Sequence, residues 1–241
     1  MNISERLNRL AGMVTEGSRL ADVGTDHGYV PLCLYRQRRI PSAIAMDINE
    51  GPLERAKEHI REAELENYIE TRLSDGLEAL KAGEADTVLI AGMGGNLTER
   101  ILTDGQKVLE TVRELVLQPQ SEIWQVRQYL CKNGWKIVSE DIVQEEGKYY
   151  PMFRAVKGEP EQYKKEELLY GKCALQQSSV VMKEFLEKRL GNARRIQKRL
   201  QPEASDPEEA RIQSRYRELT EEITLLEKML SEYRRQEQAC S

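Results

Sequence analysis

Histidine, cysteine and aromatic side chains are scarce in this chain of 241 residues. It has two histidines, His27 and His59, four cysteines, Cys33, Cys131, Cys173 and Cys240, and an aromatic fraction of 6%. A metal site wants thiolates and imidazoles at short spacing, and no two of these cysteines lie close together, so no metal is expected. Scattered cysteines read as free thiols of a reducing compartment. No apolar run approaches the roughly 20 residues that cross a bilayer. The opening MNISERLNRLAGMV is amphipathic and lacks the long apolar stretch and small-residue cleavage site of a secretory signal, so the expected location is the cytoplasm. The net charge of −5 supplies no general attraction for nucleic acid, and any RNA contact must come from a local patch.

What the chain does have is charge, at 32%, beside an apolar fraction of 39%, and the two are unevenly spread. Residues 1–159 alternate short apolar runs with helical patterns. Leu20-Ala21-Asp22-Val23, Ala43-Ile44-Ala45-Met46, Thr87-Val88-Leu89-Ile90 and Leu115-Val116-Leu117 suit strands buried on both faces of a parallel sheet. Helical segments are expected around Val30–Arg38, Leu53–Ala63, Leu97–Val108 and Glu122–Asn133. That order predicts a doubly wound α/β fold, a Rossmann-like sheet that is mostly parallel. Trp135–Val143 and Tyr150–Val156 follow each other with no helix between, which predicts an antiparallel terminal strand pair turning near Gly147.

Residues 160–241 read differently. From residue 161 onward there are sixteen basic and fifteen acidic side chains and almost no strand signal. Ile212, Tyr216, Leu219, Ile223, Leu226, Leu230 and Tyr233 recur at alternating steps of four and three, a coiled-coil seam. Met182, Leu186, Ala193, Ile196 and Leu200 form a comparable stripe on the preceding helix. Gln201–Asp206 separates the two, and Asp206-Pro207-Glu208-Glu209 has the form of a helix start. A short connection makes the two helices an antiparallel hairpin, which either packs on the sheet domain, dimerises, or contacts RNA. The expected state is a monomer or weak homodimer.

Chemistry is expected in Asp22-Val23-Gly24-Thr25-Asp26-His27-Gly28, between the first strand and the first sheet helix. Glycines there let a ligand approach the backbone. A dinucleotide site wants glycine where Asp26 stands, because a diphosphate lies against that backbone. An acidic loop suits S-adenosylmethionine instead, whose sulfonium and ammonium are cationic. The second strand ends at Asp47-Ile48, at a spacing near the roughly 20 residues at which an acid meets ribose hydroxyls. The third ends at Asp75-Gly76, where a carboxylate can accept from the adenine amino group. The fourth runs into Ala91-Gly92-Met93-Gly94-Gly95. All four signals fall on successive strand ends, where ligands bind in open α/β sheets. Singly, each carboxylate is equally a helix N-cap. The cofactor set is therefore Asp22, Gly24, Thr25, His27, Gly28, Tyr29, Asp47, Ile48, Asp75, Gly76 and Gly92.

At these residues the chain resembles a known family. Asp22-Val-Gly-Thr-Asp-His-Gly-Tyr29-Val-Pro31 is similar to the cofactor loop of the bacterial tRNA (adenine-22-N1)-methyltransferases, the TrmK family. Ala91–Gly95, Leu117-Gln118-Pro119 and Glu145-Glu146-Gly147-Lys148-Tyr149-Tyr150 resemble its later blocks, and the hairpin its C-terminal extension. The resemblance implies methyl transfer to adenine N1 in tRNA. Enzymes that methylate exocyclic amines carry Asn/Asp-Pro-Pro-Tyr/Phe where this chain has Gly92-Met93-Gly94-Gly95, and that departure fits a ring nitrogen.

A ring nitrogen has a lone pair at neutral pH, so positioning rather than a strong base supplies much of the acceleration. Asp26 is the candidate to stabilise charge arriving on the base; binding the methionine ammonium and capping the helix are its alternatives. The backbone of Gly92, Met93 and Gly94 leaves room for a flat ring. Tyr149, with Tyr150, is a candidate to stack on an exposed base, or an ordinary sheet tyrosine. Lys188, Arg189, Arg194, Arg195, Lys198 and Arg199, with Arg211 and Arg215 on the returning helix, form the candidate RNA-binding patch. The competing readings are a methyltransferase for a small molecule or protein, and a non-catalytic RNA-binding adaptor.

Overall fold

The computed structural model describes residues 3–177, 179–200 and 209–240. The chain separates into two compact units, Met1–Cys173 and Ala174–Ser241.

In the first unit the elements run α1 Glu5–Met13, β1 Leu20–Val23, α2 Tyr29–Arg36, β2 Ala43–Asp47, α3 Glu50–Glu62, β3 Ile69–Leu73, β4 Thr87–Ala91, α4 Gly95–Asp104, α5 Gln106–Leu109, β5 Glu114–Gln118, α6 Ile123–Lys132, β6 Trp135–Glu145, β7 Lys148–Lys157 and α7 Lys165–Tyr170. The seven strands form one sheet of order β3-β2-β1-β4-β5-β7-β6. The first five are parallel, with Asp22 level with Ala45 on β2 and Leu89 on β4. β7 inserts antiparallel between β5 and β6, reached through the turn at Glu146–Gly147. The expected Rossmann-like sheet with its antiparallel terminal pair is present.

The apolar runs are buried on both faces. Val88, Ile90, Leu115 and Leu117 join one core cluster, while Leu89 and Val116 join the other. That alternation is the two-residue pleat of a strand covered on each side. α1, α2 and α3 supply Leu10, Leu32, Leu34 and Ile60 to one face; α4 and α6 supply Leu102 and Leu130 to the other. The single helix expected over Leu97–Val108 is broken at Gly105 into α4 and α5. β1 sits between β2 and β4, so successive connections run outward in opposite directions from it. A crevice therefore opens at the carboxyl ends of β1 and β4, the topological switch point.

α8, Lys172–Gln177, spans the boundary between the units, and α9 Val180–Arg199 and α10 Glu209–Cys240 follow. Ser179 caps α9 by accepting from Met182 N. Gln197 bonds Thr220, whereas Tyr233 reaches Leu175 O, so later positions before the turn meet earlier positions after it. The helices are antiparallel, as expected. The expected start at Asp206-Pro207-Glu208 lies outside the described residues. The packed stripe is Met182, Leu186, Leu190 and Ala193 against Leu219, Leu226, Met229, Leu230 and Tyr233. Ile196 and Tyr216, expected in the seam, are exposed, while Leu190 and Met229 take buried places. The buried residues Met182, Leu186 and Leu190 recur every four residues, which a helix of 3.6 residues per turn keeps on one face.

Candidate active site

The crevice at the switch point is a cavity of about 540 Å³, within the roughly 300–1,000 Å³ of small-ligand sites. Asp22, Gly24, Asp26, Tyr29 and Gly92 from the expected set line it, together with Val30, Leu89 and Ala91. Asp22 is almost fully buried and accepts a 2.7 Å hydrogen bond from Thr25 Oγ1. Burial pushes its carboxyl up to about 6, against the lowering effect of the Thr25 bond, with the Asp47 charge adding to the rise. Gly24 has φ +73, a conformation that costs glycine little, and a Cβ there would collide with the Met93 side chain. Met93 thus lies against the loop after β1 from the fourth strand's end, with its side chain packed on the core.

Asp26 is 76% exposed; its Oδ1 stands 3.3 Å from His27 Nε2 and 3.7 Å from Arg55 Nη2. His27 holds φ +60, a strained value for a residue with a side chain. It is braced by a stack of three rings: Tyr29 centres 5.1 Å from it and His59 5.4 Å. His59 Nδ1 lies 3.0 Å from the His27 carbonyl, which makes that nitrogen the proton-bearing one. Gly28 begins α2 where that helix packs on Ala56 of α3.

Thr25, His27, Gly28, Asp47, Ile48, Asp75 and Gly76 of the expected cofactor set do not line the cavity; Asp47 ends β2 and Ile48 follows it, Asp75 and Gly76 follow β3, and Asp75 lines a separate cavity of about 190 Å³ with Arg100. Asp47 Oδ1 accepts from Asn49 N at 2.8 Å. Ile48 is 57% exposed and Leu73, at the end of β3, 53%, so two apolar side chains face solvent next to the carboxylates. Asp75 pairs with Arg100 at 3.0 Å. Gly94 precedes α4, and Gly95 opens it so close to the chain after β5 that a Cβ would lie 2.5 Å from Ser121 O. Tyr149 lies on β7 opposite Gln144, half-buried and outside the cavity lining.

Part of the lining was not legible in the motifs. Ile3, Ser4, Arg6 and Leu7 from the start of α1, and Glu145 at the end of β6, complete the cavity wall. α1 lies against β5, β6 and β7. Arg6 Nη1 donates to Gln118 Oε1 at 2.9 Å, and its backbone N–H donates to Glu145 Oε1 at 3.3 Å. Gln118, fully buried at the tip of β5, accepts from Gly92 N through its carbonyl. The only sequence signal was an amphipathic first helix with an arginine near its start. A second cavity of about 530 Å³, beside Arg36, Arg38 and Arg39, opens at the opposite ends of the strands and shares none of these tips.

The acid-lined crevice is chemically selective. Asp22, Asp26 and Glu145 are drawn to cations and repel phosphate. Among the described residues no group of three or more His, Cys, Asp or Glu is placed to hold a metal ion.

Residues 3–153 match the model of the methyltransferase domain family. The tRNA (adenine(22)-N(1))-methyltransferase of Bacillus subtilis (strain 168) is 36% identical over 159 residues, 66% of this chain and 67% of that protein. The chain belongs to this methyltransferase family. The crystal structure of the B. subtilis m1A22 tRNA methyltransferase TrmK superposes with a TM-score of 0.86 at 29% identity, covering 95% of this chain and 99% of that one. TrmK of M. capricolum, solved with S-adenosyl-homocysteine, superposes at 0.77 with 26% identity, over 93% and 99%. These matches extend over the hairpin as well as the methyltransferase sheet.

Within the methyltransferase's hairpin the eight candidate RNA-binding cations are not equivalent. Arg189 pairs with Glu222 and Arg194 with Glu227, each at 2.6 Å, and Arg215 with Glu218 at 2.8 Å. Arg195 bonds Asn192, and Lys188 has a partner of its own. Lys198, Arg199 and Arg211 are exposed and carry no ion pair among the described residues. No described helix is long and apolar enough to cross a membrane.

Proposed function

We propose that this chain transfers a methyl group from S-adenosylmethionine to N1 of an adenine in tRNA, adenine 22, in the cytoplasm, acting as a monomer or weak homodimer. One observation carries the reading: the switch-point crevice of a family member whose relatives act on that nucleotide is lined by carboxylates. The residues present suit the donor. Buried Asp22 is best stabilised by a cation, and a diphosphate would meet three acids. Asp47 and Asp75 supply acceptors for a ribose and an amino group, and Ile48 and Leu73 supply apolar surface for a flat base.

When bound, S-adenosylmethionine supplies an activated methyl group on a sulfonium. The work of the chain is then to bind, orient and shield. Asp22 holds the positive end, with Thr25 fixing its carboxylate. The loop Gly92–Gly94 leaves space for the acceptor ring, and α1 closes the wall beside it, limiting water. Because adenine N1 needs no deprotonation, no side chain has to act as a strong base; Asp26 serves by its charge as the ring becomes cationic. Lys198, Arg199 and Arg211 contact phosphates and orient the RNA without reading its sequence.

Incubation of the purified chain with labelled S-adenosylmethionine and unmodified tRNA tests this. Label in tRNA, and none in a protein or small-molecule fraction, is expected. Label elsewhere, or no transfer, contradicts it.

A further inference from the structure

We propose that Trp124 stacks on an unpaired base of the tRNA beside the methylated adenine, from the rim of the loop that receives the acceptor; the inference rests on the tRNA reading above. The chain has two tryptophans. Trp135 is buried, with the Lys157 ammonium 3.8 Å from its ring centre. Trp124 is 41% exposed, and among the described residues its ring meets no other ring or cation and its indole N–H makes no hydrogen bond. An indole carries a large apolar face and a donor, both of which gain from a partner.

Its place in the fold ties it to the acceptor loop. α4 begins directly after Gly92–Gly94 at the tip of β4, and α6 begins just beyond the tip of β5. Gln120 N donates to Met93 O at 2.8 Å and Gly95 N to Ser121 O at 3.0 Å, so the two loops are joined into one rim. Trp124 stands in the first turn of α6, and Leu97, 39% exposed, in the first turn of α4, at the same end of two helices that pack together. Adenine N1 lies on the pairing edge of its base, so the base must leave its pair or stack before it reacts. The bases beside it then lose a stacking neighbour, and an indole face supplies one to any base. Across residues 92–98 and 118–125 the one charged side chain is Glu122. A rim without a cation has little to offer phosphate, which favours contact with a base face over contact with the RNA backbone.

The test combines tryptophan emission with tRNA binding and methylation kinetics for the wild type, Trp124→Ala and Trp124→Phe. Unmodified tRNA is expected to quench the wild type and to leave Trp124→Phe, whose remaining tryptophan is buried Trp135, unquenched. Trp124→Ala is expected to raise KM for tRNA about five- to hundredfold, the range for one base stacked on an aromatic ring, with kcat and donor affinity kept. Trp124→Phe retains a stacking face and restores most of that loss. The salt slope of tRNA binding stays at the wild-type value, because no phosphate contact is removed. An unaltered KM in Trp124→Ala, equal quenching of the wild type and Trp124→Phe, or a flattened salt slope overturns the proposal. Weakening of the donor together with tRNA makes Trp124 a brace for α6 and overturns it as well. Emission that changes when the wild-type chain is concentrated without RNA assigns the indole to a contact between copies, which also overturns it. A wild-type chain that neither binds nor methylates tRNA overturns the tRNA reading itself, a distinguishable result.

Discussion

Thr25 Oγ1 donates to Asp22 Oδ2 at 2.7 Å in the interior of the loop that follows β1, and among the described residues it is the one side-chain hydrogen bond of a nearly fully buried carboxylate. The bond is a compromise. Burial favours the neutral acid, the hydroxyl favours the anion, and the balance leaves Asp22 titrating at about 6. The free site thus contains an acid poised to ionise when a cation arrives.

The pH dependence follows. The folded-state value, about 6, is above the ordinary 3.8, so the folded chain holds an extra proton between those limits. Asp22 therefore lowers stability as pH rises through that window, and its full cost is present above it. Binding of a cation has the opposite preference. Donor affinity is expected to climb as pH rises through about 6, by up to about tenfold per unit below it, with proton release on binding. Thr25→Val removes the bond that favours the anion and moves this rise to higher pH. Calorimetry in buffers of different ionisation enthalpy reads both effects.

Gly24→Ala places a side chain where φ is +73 and where Met93 already lies. The strain is about 1–3 kcal/mol. Since Gly24 also lines the crevice, donor affinity should fall with stability. Gly24→Ala combined with Met93→Ala should recover part of the loss, because the collision goes while the strained φ remains. Thermal melting with and without the donor separates the two contributions.

Arg127 and Glu140 form an ion pair of 2.9 Å with both side chains almost wholly buried. Arg127 also donates to the carbonyls of Leu168 and Leu169, and Glu140 accepts from Cys173 N, so the pair secures the chain after β7 to the sheet. Arg127→Met leaves a buried charge without its partner and should cost about 3–5 kcal/mol. Removing both charges, as Arg127→Met with Glu140→Leu, should cost less than the single change. Chemical denaturation of the three variants measures the difference.

On the hairpin, Lys198, Arg199 and Arg211 should matter more to tRNA than Arg189, Arg194 and Arg215, whose charges are already met by Glu222, Glu227 and Glu218. Replacing the first three by alanine should weaken tRNA binding and flatten its dependence on salt by about one unit of log–log slope per lost phosphate contact. Donor affinity should not change. Filter binding across a salt series gives the slopes.

The strands of this fold were legible because a parallel sheet buried on both faces needs continuous apolar runs, and Leu20–Val23, Ala43–Met46 and Thr87–Ile90 are such runs. The carboxylates at their tips were legible because the connections begin at strand ends. Arg6 and Glu145 were not, since each joins the crevice through long-range packing of α1 on β5, β6 and β7. Nor could local spacing show that Glu222 and Glu227 face Arg189 and Arg194, because those contacts depend on the register of the closed hairpin. The exposure of Ile196 and Tyr216 has the same origin: a strict seven-residue pattern overstates the seam, and the buried stripe passes through Leu190 and Met229 instead.

The most direct measurement is nucleoside mass analysis of an unmodified tRNA after reaction with this chain and S-adenosylmethionine. The account predicts 1-methyladenosine at a single position, adenine 22, and its loss when that adenine is replaced. Methyl on the exocyclic amine, methyl at a different nucleotide, or unaltered tRNA would contradict it.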